Sequence, residues 1–408
     1  MAATRTFEYA VRDRSGKIVK GRVEATNQAA VANRLREMGL AAVSISEVTT
    51  NGLNTEINIP GLSNRISLKD LAIMARQLST MIDSGLSLLR ALSILAEQTE
   101  SKPLARVVAQ VRNDVEVGVA FSVALGKHPD VFPPLMVNMV KAGEVGGFLD
   151  QTLVSVADNF EAEVKLRGKI KSAMTYPVVV LVIAILAVTG MLLFIVPVFA
   201  TMFDGLGGEL PALTKVLVVM SGMLKWTIGP TVVVLVGAAI WWGRHKNDRA
   251  VRERLDPLKL KVPVFGPLFR KIAVSRFTRN FGTMIHAGVP LLQALDIVGE
   301  TSGNLVIERA AKAVQESVRR GESLAGPLSQ HPVFPPMVVQ MMAVGEDTGA
   351  LDSMLAKVAD FYDQEVEATT EQLTSLIEPL MIVVIGAIVG FMVIAMYMPI
   401  FGVFDIIQ

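Results

Sequence analysis

A mainly α-helical, polytopic membrane protein is predicted by three features of this 408-residue sequence. They are long apolar runs without charge, a duplicated segment with helical punctuation, and a composition of 51% hydrophobic against 19% charged residues. An average soluble domain carries roughly 25% charged residues, and the mean hydropathy here is +0.47. The length suits more than one domain. The expected architecture is two duplicated cytoplasmic helical bundles, three transmembrane helices and a small N-terminal α/β domain.

Residues 1–50 carry the α/β expectation. Phe7, Tyr9 and Val11 alternate with polar residues, Asp13 to Gly16 reads as a turn, and Ile18 to Ala25 can pair back as a hairpin. Thr26 can cap a helix whose Val31, Leu35 and Met38 share a face, Gly39 can end it, and Val43 and Ile45 alternate in a third strand. Met1 to Ala10 has no apolar h-region, so no cleaved signal peptide is expected. Residues 51–66 read as a linker.

An internal repeat organises the rest. Residues 70–129 align with 273–332 at an offset of 203, with 18 identities in 60 positions, and 131–177 align with 333–379 at an offset of 202, with 18 in 47. The matches include His128-Pro129 with His331-Pro332, Val131-Phe132-Pro133-Pro134 with Val333-Phe334-Pro335-Pro336, and a Gly-Glu-x-x-Gly-x-Leu-Asp element at Gly143 to Asp150 and Gly345 to Asp352. Residues 67–176 and 270–378 are the two expected bundles. Ser67 with Asp70 reads as a helix N-terminus, Gly85 and Gly118 as helix ends, Pro103 as a helix opening and 129–134 as a turn. The helical pattern after Gly147 runs on through Leu153, Val156, Ala157 and Phe160 toward the apolar run, which predicts one rod joining bundle and span.

Each copy leads into a charge-free run, Pro177 to Phe203 and Pro379 to Phe404, with the two prolines at the points of membrane entry. The first run, as a helix, is about 40 Å long, against a hydrocarbon core of about 30 Å. A third span is expected over 216–243, although Lys225 interrupts it and Gly229-Pro230 can kink it. Lys165, Arg167, Lys169 and Lys171 precede the first span, and Arg244, Lys246, Arg249, Arg252 and Arg254 follow the second. The positive-inside rule then puts the N-terminus and 244–269, a basic linker, in the cytoplasm, and the 204–215 loop and C-terminus outside.

Several chemistries lack their residues. There is no cysteine, which removes thiolate metal sites, Fe-S clusters and thiol nucleophiles. The net charge of +1 gives no drive toward nucleic acid. The Gly-Lys pairs at Gly16, Gly126 and Gly168 lack the upstream glycine and the following Ser or Thr of a phosphate loop. His128 and His331 sit before prolines in turns, and His245 and His286 have no partner at metal-ligand spacing. No catalytic residue, cofactor site or metal site is assigned, and no enzyme is expected.

Two sets of residues keep alternatives open. Glu144, Asp150, Glu346 and Asp352 suit helix starts, where a carboxylate complements the dipole; they also suit a partner-docking surface or a hard-cation site. Asp158, Glu161 and Glu163, with Asp360, Asp363, Glu365 and Glu367, read as a solvated helix face. Lys225 is either a functional intramembrane charge or an interfacial anchor beside Trp226.

Taken together, Phe7-Glu8-Tyr9-Ala10 with Gly16 and Gly21, the Gly85 and Gly288 helices, the His-Pro and Phe-Pro-Pro turns and the two Gly-Glu-x-x-Gly-x-Leu-Asp elements resemble the inner-membrane platform proteins of type IV pilus and type II secretion machines, the PilC/GspF family. The resemblance covers essentially the whole chain. It implies two six-helix cytoplasmic bundles, a homo-oligomer in the inner membrane, and contact with a hexameric cytoplasmic assembly ATPase, pilin or pseudopilin subunits and other inner-membrane assembly proteins. It supplies no catalytic residue. The competing reading is a small-solute transporter or channel, disfavoured because the repeated unit is mostly extramembrane rather than membrane segments with a polar midplane site.

Overall fold

The computed structural model describes residues 5–12, 18–25, 30, 41–47, 66–204, 211–246 and 248–406. The chain divides into two units, Met1–Arg65 and Ile66–Gln408. In the first, strands β1 (Arg5–Arg12), β2 (Ile18–Ala25) and β3 (Ala41–Glu47) form an antiparallel sheet of order β2-β1-β3. Arg5 faces Ala25 and Arg12 faces Ile18, while the β1–β3 register shifts between Ala10 and Val11. The turn expected over 13–16 and most of the helix expected over 26–39 lie outside the described residues.

The second unit is helical. The first repeat comprises α1 (Leu68–Asp83), α2 (Leu88–Gln98), α3 (Lys102–Glu116), α4 (Phe121–Gly126), α5 (Pro134–Gly146) and α6 (Leu149–Gly190). Its start is written in the sequence: the Ser67 hydroxyl accepts from Asp70 N–H and the Asp70 carboxylate accepts from Ser67 N–H, which closes a capping box. Helix α1 packs along α6, burying Leu71, Met74, Ala75 and Leu78 with Leu153, Val156, Ala157 and Phe160.

Helix α6 does not stop at Pro177. It continues into the apolar run, passes through a π-turn at Met191–Ile195 and goes on as α7 (Val196–Asp204). Pro197 lacks an N–H and its ring crowds the carbonyl four residues back, so the wider turn just before it relieves a conflict that a regular helix would keep. Helix α8 (Ala212–His245) follows. The N-terminal end of α8 meets the C-terminal half of α15 (Leu351–Ile406), where the Thr214 hydroxyl donates to the Ala395 carbonyl at 2.5 Å beside buried Leu192, Val196, Leu217 and Met392. Among the described residues three helices are long and apolar enough to cross a membrane, within Leu149–Met202, Ala212–His245 and Leu351–Met398.

The stretch 244–269, expected as a linker, is instead mostly structured. It contains α9 (Arg249–Lys261), and α10 (Gly266–His286) begins inside it. Its tether is Asp256, whose buried carboxylate accepts from Leu305 N–H at the start of α12 (Leu305–Arg319), from Lys259 at 2.9 Å, and faces Arg252 at 3.4 Å. A charged run read along the chain looks like solvated linker, and only the fold brings a helix start to meet Asp256.

The second repeat repeats the plan: α10, α11 (Leu291–Thr301), α12, α13 (Ala325–Ser329), α14 (Pro336–Thr348) and α15. Val274, Phe277, Phe281 and Met284 of α10 are buried with Leu355, Val358 and Tyr362 of α15, in a core continuous with that of the first repeat. Like α6, α15 runs without a break from bundle into apolar run, through Pro379.

Candidate functional site at the repeated acidic element and the seam

The Gly-Glu-x-x-Gly-x-Leu-Asp element joins the fifth helix of each repeat to the sixth. Gly143 lies where α5 crosses the start of α6, and a Cβ there would come within 2.5 Å of Thr152 Oγ1 and 3.1 Å of Leu149 Cα. Gly345 is equally confined, 2.9 Å from Leu351 Cα. Gly147 and Gly349 terminate α5 and α14 at φ +76° and +68°, left-handed values that favour glycine. The element is thus a tight corner.

The glutamates are not helix starts of their own helices, contrary to one expectation. Glu144 and Glu346 sit near the ends of α5 and α14, and their carboxylates reach the starts of other helices. Glu144 accepts from Phe121 N–H at 2.5 Å and Ser122 N–H at 2.9 Å, at the first turn of α4. Glu346 accepts from Leu324 N–H at 3.0 and 2.9 Å, ahead of α13. Neither α4 nor α13 has a capping side chain of its own at its N-cap, Ala120 or Leu324, so a distant glutamate satisfies otherwise unpaired, partly buried N–H groups and the helix dipole.

The aspartates do lie in first turns. Asp150 opens α6 and is exposed, with no hydrogen bond or ion pair among the described residues. Asp352 opens α15 and faces His286 Nδ1 at 3.0 Å. That hydrogen bond, with one from Ser353 N–H, holds the Asp352 carboxyl below its usual range. Among the described residues no group of three or more acidic or histidine side chains is placed to hold a metal ion.

The acidic face beyond these corners is occupied by partners that the sequence reading missed. Arg76 donates to Glu161 at 2.6 Å and to Asp158 at 2.5 Å, and its bond to Glu161 draws the Glu161 carboxyl below its ordinary range. Its counterpart Arg279 donates to Asp360 at 2.9 Å and Asp363 at 2.6 Å. The signal was present as an arginine conserved between the copies on the first helix of each, opposite acidic pairs duplicated on the last.

The remaining acids hold the two repeats together. Helices α5 and α6 of the first copy lie against α10, α11 and α15 of the second. Asn159, 6% exposed, donates to Asn280 at 3.0 Å and Thr283 at 3.4 Å. Arg276 pairs with Glu163 at 2.7 Å, Lys169 with Glu367, and Gln293 donates to Asn138 at 3.1 Å. Leu166 is buried with Leu268, Val366 and Leu373. Lys169 and Glu367 lie just before the apolar runs, so the two helices that enter them are tied side by side at that level.

Other singled-out residues play lesser parts. Pro177 is buried and Pro379 exposed, both within unbroken helices. Lys225 and Trp226 lie on the exposed face of α8. His128 is in a turn, edge-on to Phe132.

Comparison with known proteins gives the same repeat. The family model for type II secretion system (T2SS) protein F matches residues 74–197 and again 277–399, and the model for the N-terminal domain of that protein matches 1–46. The type IV pilus assembly protein PilC of Thermus thermophilus is 46% identical over 97% of this chain and 98% of its own length. PilC of Myxococcus xanthus is 42% identical over 100% and 97%. The type II secretion system protein F of Vibrio cholerae is 34% identical over 97% of both.

Proposed function

Because this chain belongs to the type II secretion system protein F family, we propose that it is an inner-membrane platform for assembling a type IV pilus or a type II secretion pseudopilus. It has no chemistry of its own in this reading. A hexameric cytoplasmic ATPase supplies the work, and the platform passes it to pilin or pseudopilin subunits in the membrane alongside other inner-membrane assembly proteins.

The observation that carries this reading is the continuity of α6 and α15. Each is one helix from the bundle corner into the apolar run, and they are bound to each other by Lys169 and Glu367 just before it. The helix runs through Pro177 and Pro379 without an interruption in its assignment, so a displacement of a bundle is passed along a continuous element to the span. The basic flanks support a cytoplasmic N-terminus and bundles, with the C-terminus outside.

In this reading residues 1–50 form a small α/β domain, 51–66 a linker, 67–176 and 270–378 the bundles, and 177–203, 216–243 and 379–404 the spans. Glu144 and Glu346 serve the fold, since their carboxylates are taken by backbone N–H groups. Asp150 is exposed and stays available to a partner. Lys225 beside Trp226 acts as an interfacial anchor, its stem along the lipid and its ammonium reaching toward water.

The test is to insert Gly-Gly-Ser-Gly after Lys171, which uncouples bundle from span in α6 without touching the seam. Filament assembly is expected to stop while membrane insertion and ATPase capture persist. Normal assembly would remove the lever from the mechanism.

A further inference from the structure

We infer that the cleft between α6 and α15 at the membrane edge is a binding site for a lipid with a phosphoethanolamine headgroup, drawn from the leaflet on the bundle side. The two helices approach their apolar runs with opposite charge. From 165 to 176, α6 carries Lys165, Arg167, Lys169 and Lys171 and no acid, whereas from 365 to 378, α15 carries Glu365, Glu367, Glu371 and Glu378 and no base. Among the described residues the one ion pair that these groups make across the two helices is Lys169 with Glu367. Beside that pair opens a cavity of about 440 Å³, walled by Lys169, Ser172 and Ala173 on α6 and by Thr370, Glu371, Thr374 and Ser375 on α15.

The walls also differ in hydrogen-bonding sense. On α15 the Thr374 hydroxyl donates to the Thr370 carbonyl at 2.9 Å and the Ser375 hydroxyl to the Glu371 carbonyl at 3.0 Å. A hydroxyl whose proton is spent on its own helix offers a ligand lone pairs alone. The Glu371 carboxylate, exposed and without a hydrogen bond or ion pair among the described residues, adds two more acceptor oxygens. The α6 wall donates instead. The Lys169 ammonium has three N–H groups, and Glu367 is its one partner among the described residues. The Ser172 hydroxyl makes no hydrogen bond among the described residues. A fitting ligand therefore turns N–H donors to one wall and anionic oxygens to the other. Ethanolamine phosphate has both, choline has no N–H, and a glycerol headgroup has no cation.

Depth selects a lipid as the source of that headgroup. Ala173 and Ser375 each lie four residues before the prolines at membrane entry, Pro177 and Pro379, which is about 6 Å along a helix. The headgroup layer is about 5–7 Å thick on each side of the hydrocarbon core. Beyond the cavity the same faces turn apolar. Ser172 is followed at helical spacing by Tyr176, Val179 and Ile183, and Ser375 by Glu378 and then Ile382, all exposed. Tyr176 stands where an aromatic ring suits the interface, and the valine and isoleucines give acyl chains a surface to follow.

The inference rests on the apolar runs crossing the membrane, and not on any ATPase or pilin, so it can fail while the platform reading stands. The full-length protein is purified in detergent and offered dioleoyl phosphatidylethanolamine, phosphatidylcholine or phosphatidylglycerol, and retained lipid is counted by native mass spectrometry. The ethanolamine lipid is expected to be retained about tenfold more strongly than the choline lipid, equivalent to about 1.4 kcal/mol. Glu371→Gln should erase that preference and Ser172→Ala should lower ethanolamine-lipid retention about threefold. Neither side chain has a partner to lose, so both variants should melt with the wild type, and Gln372→Ala, which does not line the cavity, should retain lipid as the wild type does. Equal retention of ethanolamine and choline lipids, preference for the glycerol lipid, absence of retained lipid, or an ethanolamine preference that survives Glu371→Gln would each overturn the inference.

Discussion

The carboxylate of Glu144, near the end of α5, accepts the backbone N–H of Phe121 at the start of α4, 2.5 Å away, and Glu346 does the same for Leu324 in the second repeat. Each duplicated glutamate is a long-range cap, which closes the short fourth helix of its bundle onto the fifth.

Removing that cap should cost stability rather than a binding surface. Glu144→Ala is expected to destabilise the first bundle by about 1–2 kcal/mol, and Glu346→Ala the second by a similar amount, through lost capping of partly buried N–H groups. Thermal melting with limited proteolysis measures this. Loss of assembly in a variant whose melting is unchanged would return these residues to the docking surface.

The glycines beside them should be as sensitive. Gly345→Ala places a methyl 2.9 Å from the Leu351 backbone, so α14 must move away from α15, at a cost of about 1–3 kcal/mol. Gly143→Ala meets the Thr152 hydroxyl first, and a Thr152→Ser exchange leaves that clash while Thr152→Ala relieves part of it. Comparing midpoints of Gly143→Ala with and without Thr152→Ala checks the contact.

The seam predicts coupling between repeats. Glu163 and Arg276 are only 17% and 26% exposed, so a double-mutant cycle to alanine should give a coupling of about 1 kcal/mol or more, above most surface pairs. Hydrogen exchange of α6 and α10 in Asn159→Ala, which strips Asn280 and Thr283 of their shared partner, should rise in both helices together. Exchange confined to α6 would mean that the repeats open independently.

Acid should act on Asp352. Its folded pKa is depressed by His286 and Ser353, so it contributes stability above its unfolded pKa that is lost as pH falls through the folded value, in the range below about pH 4. The pair is exposed enough that the loss is at most about 0.5–1 kcal/mol. His286→Ala should shrink the drop in melting temperature between pH 5 and pH 3, and an unchanged drop would dismiss the contact.

The apolar runs, the copy-to-copy offsets and the helix punctuation at Ser67, Gly85 and Pro103 were all legible in the chain because each depends on residues within one or two turns of one another. Hydropathy and capping are local sums. Which carboxylate meets which donor is not local: Glu144 finds Phe121 and Asp256 finds Leu305 only after helices pack, so two acids with the same spacing to a glycine could not be told apart beforehand. The basic stretch after the second span looked solvated for the same reason, its anchoring contact lying 49 residues ahead. Duplication itself was visible in the letters. That the copies meet through unlike faces, with Phe148 against Gly288 and nothing among the described residues against Gly85, was decided by tertiary packing, because two similar segments can pack through like faces about a two-fold or through unlike faces, and the choice rests on contacts made only after folding.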